Sequence, residues 1–232
     1  QNRDIGEEKE EFLERYGYRR EDFAGFDPQL IIMDVVPWML PYYEASGIQF
    51  EIEDNRDYMD YTFTPEQFLA GMDMQDDRYR YNYFKRRFAY ETEEITPFHR
   101  EEIREFMERE WCGEKTCEEC HCGCLLRVID NLVPVFDKIR INGILVRVEG
   151  KMAGLCIVSC RNGLGVYQYK NAVNRIKGIN EYLLRESFER YLQPADTINY
   201  TEDMGVENLR YYKEHMAPAH TLLSKLTLTE RG

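Results

Sequence analysis

The chain has 232 residues and a formal net charge of -13, from 43 acidic and 30 basic side chains. At 43% hydrophobic and 31% charged it can bury a full core, which excludes intrinsic disorder and a disulfide-stapled mini-domain. Its longest nearly apolar run, residues 153–160, is far short of the roughly 20 that a membrane-spanning helix needs.

Acidity concentrates at the front, where residues 1–70 hold 17 acidic and 6 basic side chains. The remainder is close to neutral. A local basic patch there can meet an anion, although the acidic whole disfavours nonspecific nucleic-acid binding.

In chain order, residues 7–16 read as a charged helix with one apolar stripe, Phe12, Leu13 and Tyr16. Residues 29–34 read as a short buried strand. Pro37 opens a helix that Gly47 closes. Residues 48–53 and 57–63 alternate as two strands, with Asp54 and Asn55 in the turn between them. Pro65 to Met72 reads as a short helix. Residues 90–95 form a strand, 97–111 a helix, and 125–139 a second helix with Pro134 as a kink.

Three strands follow, over 144–149, 152–160 and 164–170, joined by turns at Gly150–Lys151 and Asn162–Gly163. Gly178 precedes a long helix to about Leu192. Residues 196–200, 206–215 and 219–228 read as strand, helix and strand. A strand meander followed by a crossover predicts an α+β protein with mixed sheets flanked by helices.

From residue 90 the order is β-α-α-β-β-β-α-β-α-β, which resembles the GNAT (acyl-CoA N-acyltransferase-like) fold. Residues 1–63 repeat the end of that order. The expected organisation is therefore tandem GNAT-like, with the first copy incomplete. Residues 1–70 are its C-terminal part, 71–89 a basic aromatic linker, and 90–232 a second, complete domain with a Cys-rich loop at 112–124. GNAT proteins cradle acyl-CoA pyrophosphate at a helix N-terminus through a Gln/Arg-x-x-Gly-x-Gly/Ala signature. Arg175, Lys177 and Gly178 fall at that place, with Asn180 where the signature has Gly or Ala. The resemblance makes these three the expected cofactor-binding residues.

Three blocks are more specific: NRDYMDYTF at 55–63, RYRYNYFKRRFAYETEEIT at 78–96 and NYTEDMGVENLRYYKEHMAP at 199–218. Together they resemble the phosphatidylglycerol lysyltransferase C-terminal domain family, in its stand-alone bacterial form. A lysine-rich stretch common in that family is replaced here by Asp76 and Asp77. The resemblance implies acyl or aminoacyl transfer, with charged tRNA or acyl-CoA as donor. The acceptor would be an amine or hydroxyl on a small molecule, peptide or lipid. The alternatives are a non-catalytic ligand- or tRNA-binding protein on the same fold and an acetyl-CoA-dependent N-acetyltransferase.

The residues themselves support candidate roles. RYRYNYFKRR interleaves basic and aromatic side chains, which suits phosphate contact with base stacking. Arg78 and Lys85 are its candidate substrate-binding residues, and an amphipathic helix with solvated cations is the competing reading. Adjacent Glu202 and Asp203 could act as general base or orient an amine, or could cap the following helix. Arg210 and Lys213 lie three apart on that helix and so share a face. Lys170 lies on the third meander strand, where substrate approaches in GNAT proteins.

Cys112, Cys117, Cys120, Cys122 and Cys124 crowd around His121. Thiolates in a short loop suit structural zinc. Free thiols, or a redox or cluster role, are the other readings. With Cys156 and Cys160 the total is seven. An odd count without a secretory h-region predicts a reducing, cytoplasmic setting.

Overall fold

A computed structural model describes residues 31–54, 56–112, 128–129, 131–139, 141–216 and 220–230. In chain order, β1 (Ile31–Val35) leads through a 3-10 turn at Pro37–Met39 into α1 (Leu40–Glu44), and then come β2 (Phe50–Asp54) and β3 (Asp60–Phe63). Next are α2 (Pro65–Met72), α3 (Gln75–Arg87), β4 (Tyr90–Glu94) and α4 (Arg100–Met107). The meander is β5 (Asn142–Val148), β6 (Lys151–Arg161) and β7 (Leu164–Ala172). The chain ends with α5 (Ile179–Ser187), β8 (Thr197–Asn199), α6 (Glu207–Met216), β9 (Thr221–Leu223) and β10 (Leu226–Glu230).

These elements divide into two compact units, residues 1–53 with 226–232, and residues 54–225. The sequence reading places its boundaries at 70 and 89 instead. In the smaller unit β10 lies between β1 and β2 in a three-stranded sheet, antiparallel to β1. Val35, Leu226 and Leu228 form its buried centre. Pro37 and Gly47, the latter at φ +77, bound its helical segment as expected.

The larger unit holds a seven-stranded mixed sheet in the order β4-β5-β6-β7-β8-β3-β9. The α+β class and mixed sheet agree with the sequence. β6 is buried through residues 152–158, with neighbours on both sides and helices against it, so it reads as one apolar run. Both meander turns place two residues at positive φ, Glu149–Gly150 and Asn162–Gly163, as two-residue hairpins require. The first therefore starts one residue earlier than expected.

Three local expectations need correction. Residues 48–63 were expected as consecutive strands, but β2 and β3 belong to different sheets, separated by a 3-10 turn at Arg56–Tyr58. Residues 219–228 were expected as one strand and instead divide into β9 and β10, again in different sheets. In both cases alternation reports which side chains are buried, and it carries no information about the partner strand. Residues 125–139 were expected as one helix; among the described residues, helical turns at 128–129 and 131–132 precede a 3-10 turn at Val133–Val135. Pro134 has no N–H to continue an α-helical ladder.

The stretch expected as a linker contains α3, thirteen residues long. Asp76 and Asp77 occupy its first turn and Lys85, Arg86 and Arg87 its last, each sign complementing the helix dipole. Phe84 is fully buried and packs on Tyr182 of α5 at 4.9 Å between ring centroids. β7 and β8 run parallel but pair only from Leu164↔Thr197 to Val166↔Asn199. Beyond Val166, β7 continues without β8. Buried Tyr167 and Tyr200 stand just past that point, edge to face at 5.3 Å, with Phe68 against both.

Candidate functional site

The segment between β8 and α6 makes an irregular loop, with Thr201, Met204 and Gly205 all at positive φ. Asp203 sits in it with no solvent exposure. Its Oδ2 accepts from Arg56 Nη1 at 3.0 Å, Tyr61 Oη at 2.8 Å and Arg210 Nε at 3.0 Å. Its Oδ1 accepts from Arg210 Nη2 and the Gly205 N–H, both at 3.0 Å. Burial alone would raise its pKa. The hydrogen bonds from Arg210, Tyr61 and Gly205, with the charge of Arg210, outweigh burial and hold the carboxyl well below the usual range.

The cations around Asp203 are themselves shared. Arg56 Nη2 donates to Tyr61 Oη at 2.8 Å and to Glu214 at 3.2 Å. Arg210 Nη2 also donates to Asp57 at 2.6 Å. Glu202 lies beside this network, with Oε2 3.7 Å from Lys225 Nζ. Lys225 Nζ pairs with Asp60 at 2.8 Å, and Asn199 bridges Asp60 to the Thr201 N–H.

Lys213 is 3% exposed, and its ammonium donates to the carbonyls of Tyr200, Thr201 (3.1 Å) and Glu202 (2.8 Å). Desolvation lowers its pKa to about 8, against the raising effect of Glu202, Asp60 and Asp203. The amine fastens the loop from behind. Lys213→Met is expected to cost about 1–3 kcal/mol by leaving those carbonyls unsatisfied. A urea melt indistinguishable from wild type would remove that role.

The other predicted residues gather around α3 and the start of α5. Gly178, at φ +89, lies so close to α3 that a Cβ would sit 2.1 Å from the Arg80 carbonyl oxygen. Glu181, in the first turn of α5, pairs with Arg80 at 3.2 Å. Lys177 points over the rings of Tyr79 and Tyr83, at 4.8 and 5.1 Å. Arg175 is 76% exposed and 3.5 Å from Glu110. Arg78 and Lys85 are exposed on α3, and Lys85 Nζ donates to Tyr81 Oη at 3.1 Å. Lys170 donates to Asn180 Oδ1 at 2.9 Å, and burial lowers its pKa.

Glu202, Asp203, Arg210 and Lys213 therefore belong to one cluster, whereas Arg175, Lys177 and Gly178 share a chain segment but face different partners. Sequence reasoning assigned no role to Arg56, Asp57 or Tyr61, although all three lie in the first of the three quoted blocks. Their signal was present only as that block, because their partners are about 140–160 residues away along the chain. Cys117, Cys120, Cys122 and Cys124 lie outside the described residues, as does the side chain of Cys112. Among the described residues no group of three or more His, Cys, Asp or Glu could hold a metal ion, and no helix is long and apolar enough to cross a membrane.

Comparison with known proteins yields one family model, described as phosphatidylglycerol lysyltransferase, C-terminal, which matches residues 5–224. No curated protein matches the sequence. Among solved structures, a conserved protein of unknown function from Bacteroides thetaiotaomicron is 24% identical with a TM-score of 0.74, covering 99% of this chain and 77% of that one. L-PGS from Bacillus licheniformis is 16% identical with a TM-score of 0.64, covering 96% and 72%. A tandem GNAT protein from the clavulanic acid biosynthesis pathway is 13% identical with a TM-score of 0.52, covering 92% and 67%. At these identities the likeness is one of fold, and that fold is the tandem GNAT-like one.

Proposed function

Because the chain belongs to the phosphatidylglycerol lysyltransferase C-terminal family, we propose that it is an aminoacyltransferase that takes its acyl group from charged tRNA. The acceptor is an amine or hydroxyl on a small molecule, peptide or lipid. The observation that carries this choice of donor is the closed start of α5. A CoA pyrophosphate needs an open helix N-terminus. Here Gly178 abuts the Arg80 carbonyl, and Glu181 sets a carboxylate in the first turn.

The surface of α3 supports the same donor. Arg78, Lys85, Arg86 and Arg87 are exposed, and Tyr79 is half-exposed beside Lys177. Cations interleaved with aromatic faces suit a phosphate backbone with unstacked bases. In the loop cluster, Asp203 positions Arg56, Tyr61 and Arg210, because a carboxylate with five donors and a depressed pKa is a poor proton acceptor. Glu202 is the carboxylate proposed to act on the acceptor, with Arg210 and Lys213 holding its loop. Transfer from an activated ester relies on proximity and oxyanion stabilisation, so no nucleophilic triad is required.

Binding of charged tRNA is expected to weaken steeply with salt, and Arg78→Ala should reduce the log–log salt slope by about 1. Acetyl-CoA and desulfo-CoA are expected to give no saturable thermal shift up to millimolar concentration. A saturable shift with acetyl-CoA would overturn the choice of donor in favour of an N-acetyltransferase. The saturation of Asp203 also favours a second reading, a non-catalytic tRNA-binding protein. Salt-sensitive tRNA binding without aminoacyl transfer to any amine would select it.

A further inference from the structure

A small cavity of ≈ 10 Å³ lies where α2, α3, α5 and α6 meet. Asp77, Tyr81, Glu181, Arg185 and Tyr212 line it, over an apolar floor that includes Met72 and Leu184. We propose that this cavity binds a primary ammonium group, with Asp77, Glu181 and the Tyr212 hydroxyl as acceptors and the Tyr81 ring beside it.

Size is the first argument. The cavity has room for one water-sized group, which an ammonium head is and a carboxylate or phosphate is not. Unsatisfied hydrogen-bonding capacity is the second. The Tyr212 hydroxyl oxygen is fully enclosed, with the Tyr200 hydroxyl as its neighbour but no well-formed hydrogen bond to it. Asp77 is half-buried, and the charges that act on its carboxyl are those of Glu181, Arg80 and Asp76.

Charge is the third argument. The Asp77 carboxyl is pushed up to about 6, by burial first and then by the neighbouring charge of Glu181, despite the opposing effect of Arg80. A carboxylate in that state is stabilised by any added positive charge. The nearby cations are committed elsewhere. Arg80 pairs with Glu181, Arg185 pairs with Asp73 at 2.6 Å and Glu189 at 3.0 Å, and Lys170 donates to Asn180. Arg185, which lines the cavity, and Lys85 already lie over the Tyr81 ring, at 5.2 and 5.0 Å, so the carboxylates and the Tyr212 hydroxyl carry the proposed site.

The binding claim stands on the cavity alone. Assigning the amine to the α-ammonium of an aminoacyl donor or to an acceptor amine rests on the transferase reading. The probes are L-alaninamide as donor mimic, ethylamine as acceptor mimic, and N-acetyl-L-alaninamide as a neutral control. Isothermal titration is expected to show saturable binding of at least one free amine and none of the control. Asp77→Asn should weaken that binding by about tenfold or more, and Tyr212→Phe by a smaller factor. Asp77→Asn should also raise the melting temperature at pH 7.5, since it removes an under-compensated charge, and this shows that the variant is folded.

No binding of either amine, equal binding of the control, or unchanged affinity in a folded Asp77→Asn would each overturn the proposal. Amine binding without transfer from charged tRNA would leave the pocket standing and remove the transferase reading. Transfer without amine binding would do the reverse.

Discussion

Gly178→Ala is expected to lower the melting temperature by about 6–12 °C, from a loss of about 3 kcal/mol in a chain of this size. Two costs add. At φ +89 a side chain enters the left-handed region, at about 1–2 kcal/mol. The new Cβ would also stand 2.1 Å from the oxygen and 2.8 Å from the carbon of the Arg80 carbonyl, and 3.0 Å from Phe84 Cβ. Two of those atoms are backbone, so no rotamer change relieves the contact and α3 must move away from α5, at about 1–3 kcal/mol. Gly150→Ala is the control. Its φ is +74, and nothing lies within 4 Å of the added Cβ, so it isolates the conformational term. Calorimetry giving equal losses for the two variants would mean that α3 does not seat directly on α5.

Asp203→Asn is expected to cost about 3 kcal/mol at pH 7. Breaking a buried ion pair costs about 3–5 kcal/mol because it strands the partner charges. The low end applies because the Arg56 and Arg210 side chains remain 34% and 33% exposed and are partly screened by solvent. Asparagine would also direct an N–H₂ at donors that now all point to carboxylate oxygens.

Acid titration gives the same interaction a second readout. The folded carboxyl titrates below its unfolded value of about 3.9. Its stabilisation is therefore fully present above that value and is lost as the pH falls below it, through the acid range. The gap between wild type and Asp203→Asn in urea melts should narrow from pH 7 to pH 3. A constant gap would show that packing, not ionisation, makes Asp203 important.

These two sites differ in how they could be found. Gly178 was singled out by its position before a helix, and the reason it must be glycine lies on α3, a segment expected to be a linker. For Asp203 the adjacent carboxylates and the Arg210–Lys213 spacing were visible, since both are relations within about ten residues. That Asp203 is buried and ringed by donors was not visible. The missing donors, Arg56 in the 3-10 turn before β3 and Tyr61 at the start of β3, lie 147 and 142 residues earlier.

The sequence by itself determined what depends on near neighbours. The meander β5-β6-β7 followed from strand-like runs broken by turns at Gly150–Lys151 and Asn162–Gly163, the start of α2 from Pro65, and the α+β class from the order of those pieces. Local backbone geometry and capping act over a few residues, so they are written locally. Tertiary structure alone decided that β3 lies between β8 and β9, that residues 219–228 divide between two sheets, and that Asp77 meets Glu181 and Tyr212 around one cavity. Those arrangements follow from which buried faces pack together across more than a hundred residues. A periodic pattern marks a face for burial, and only the packed core decides what covers it.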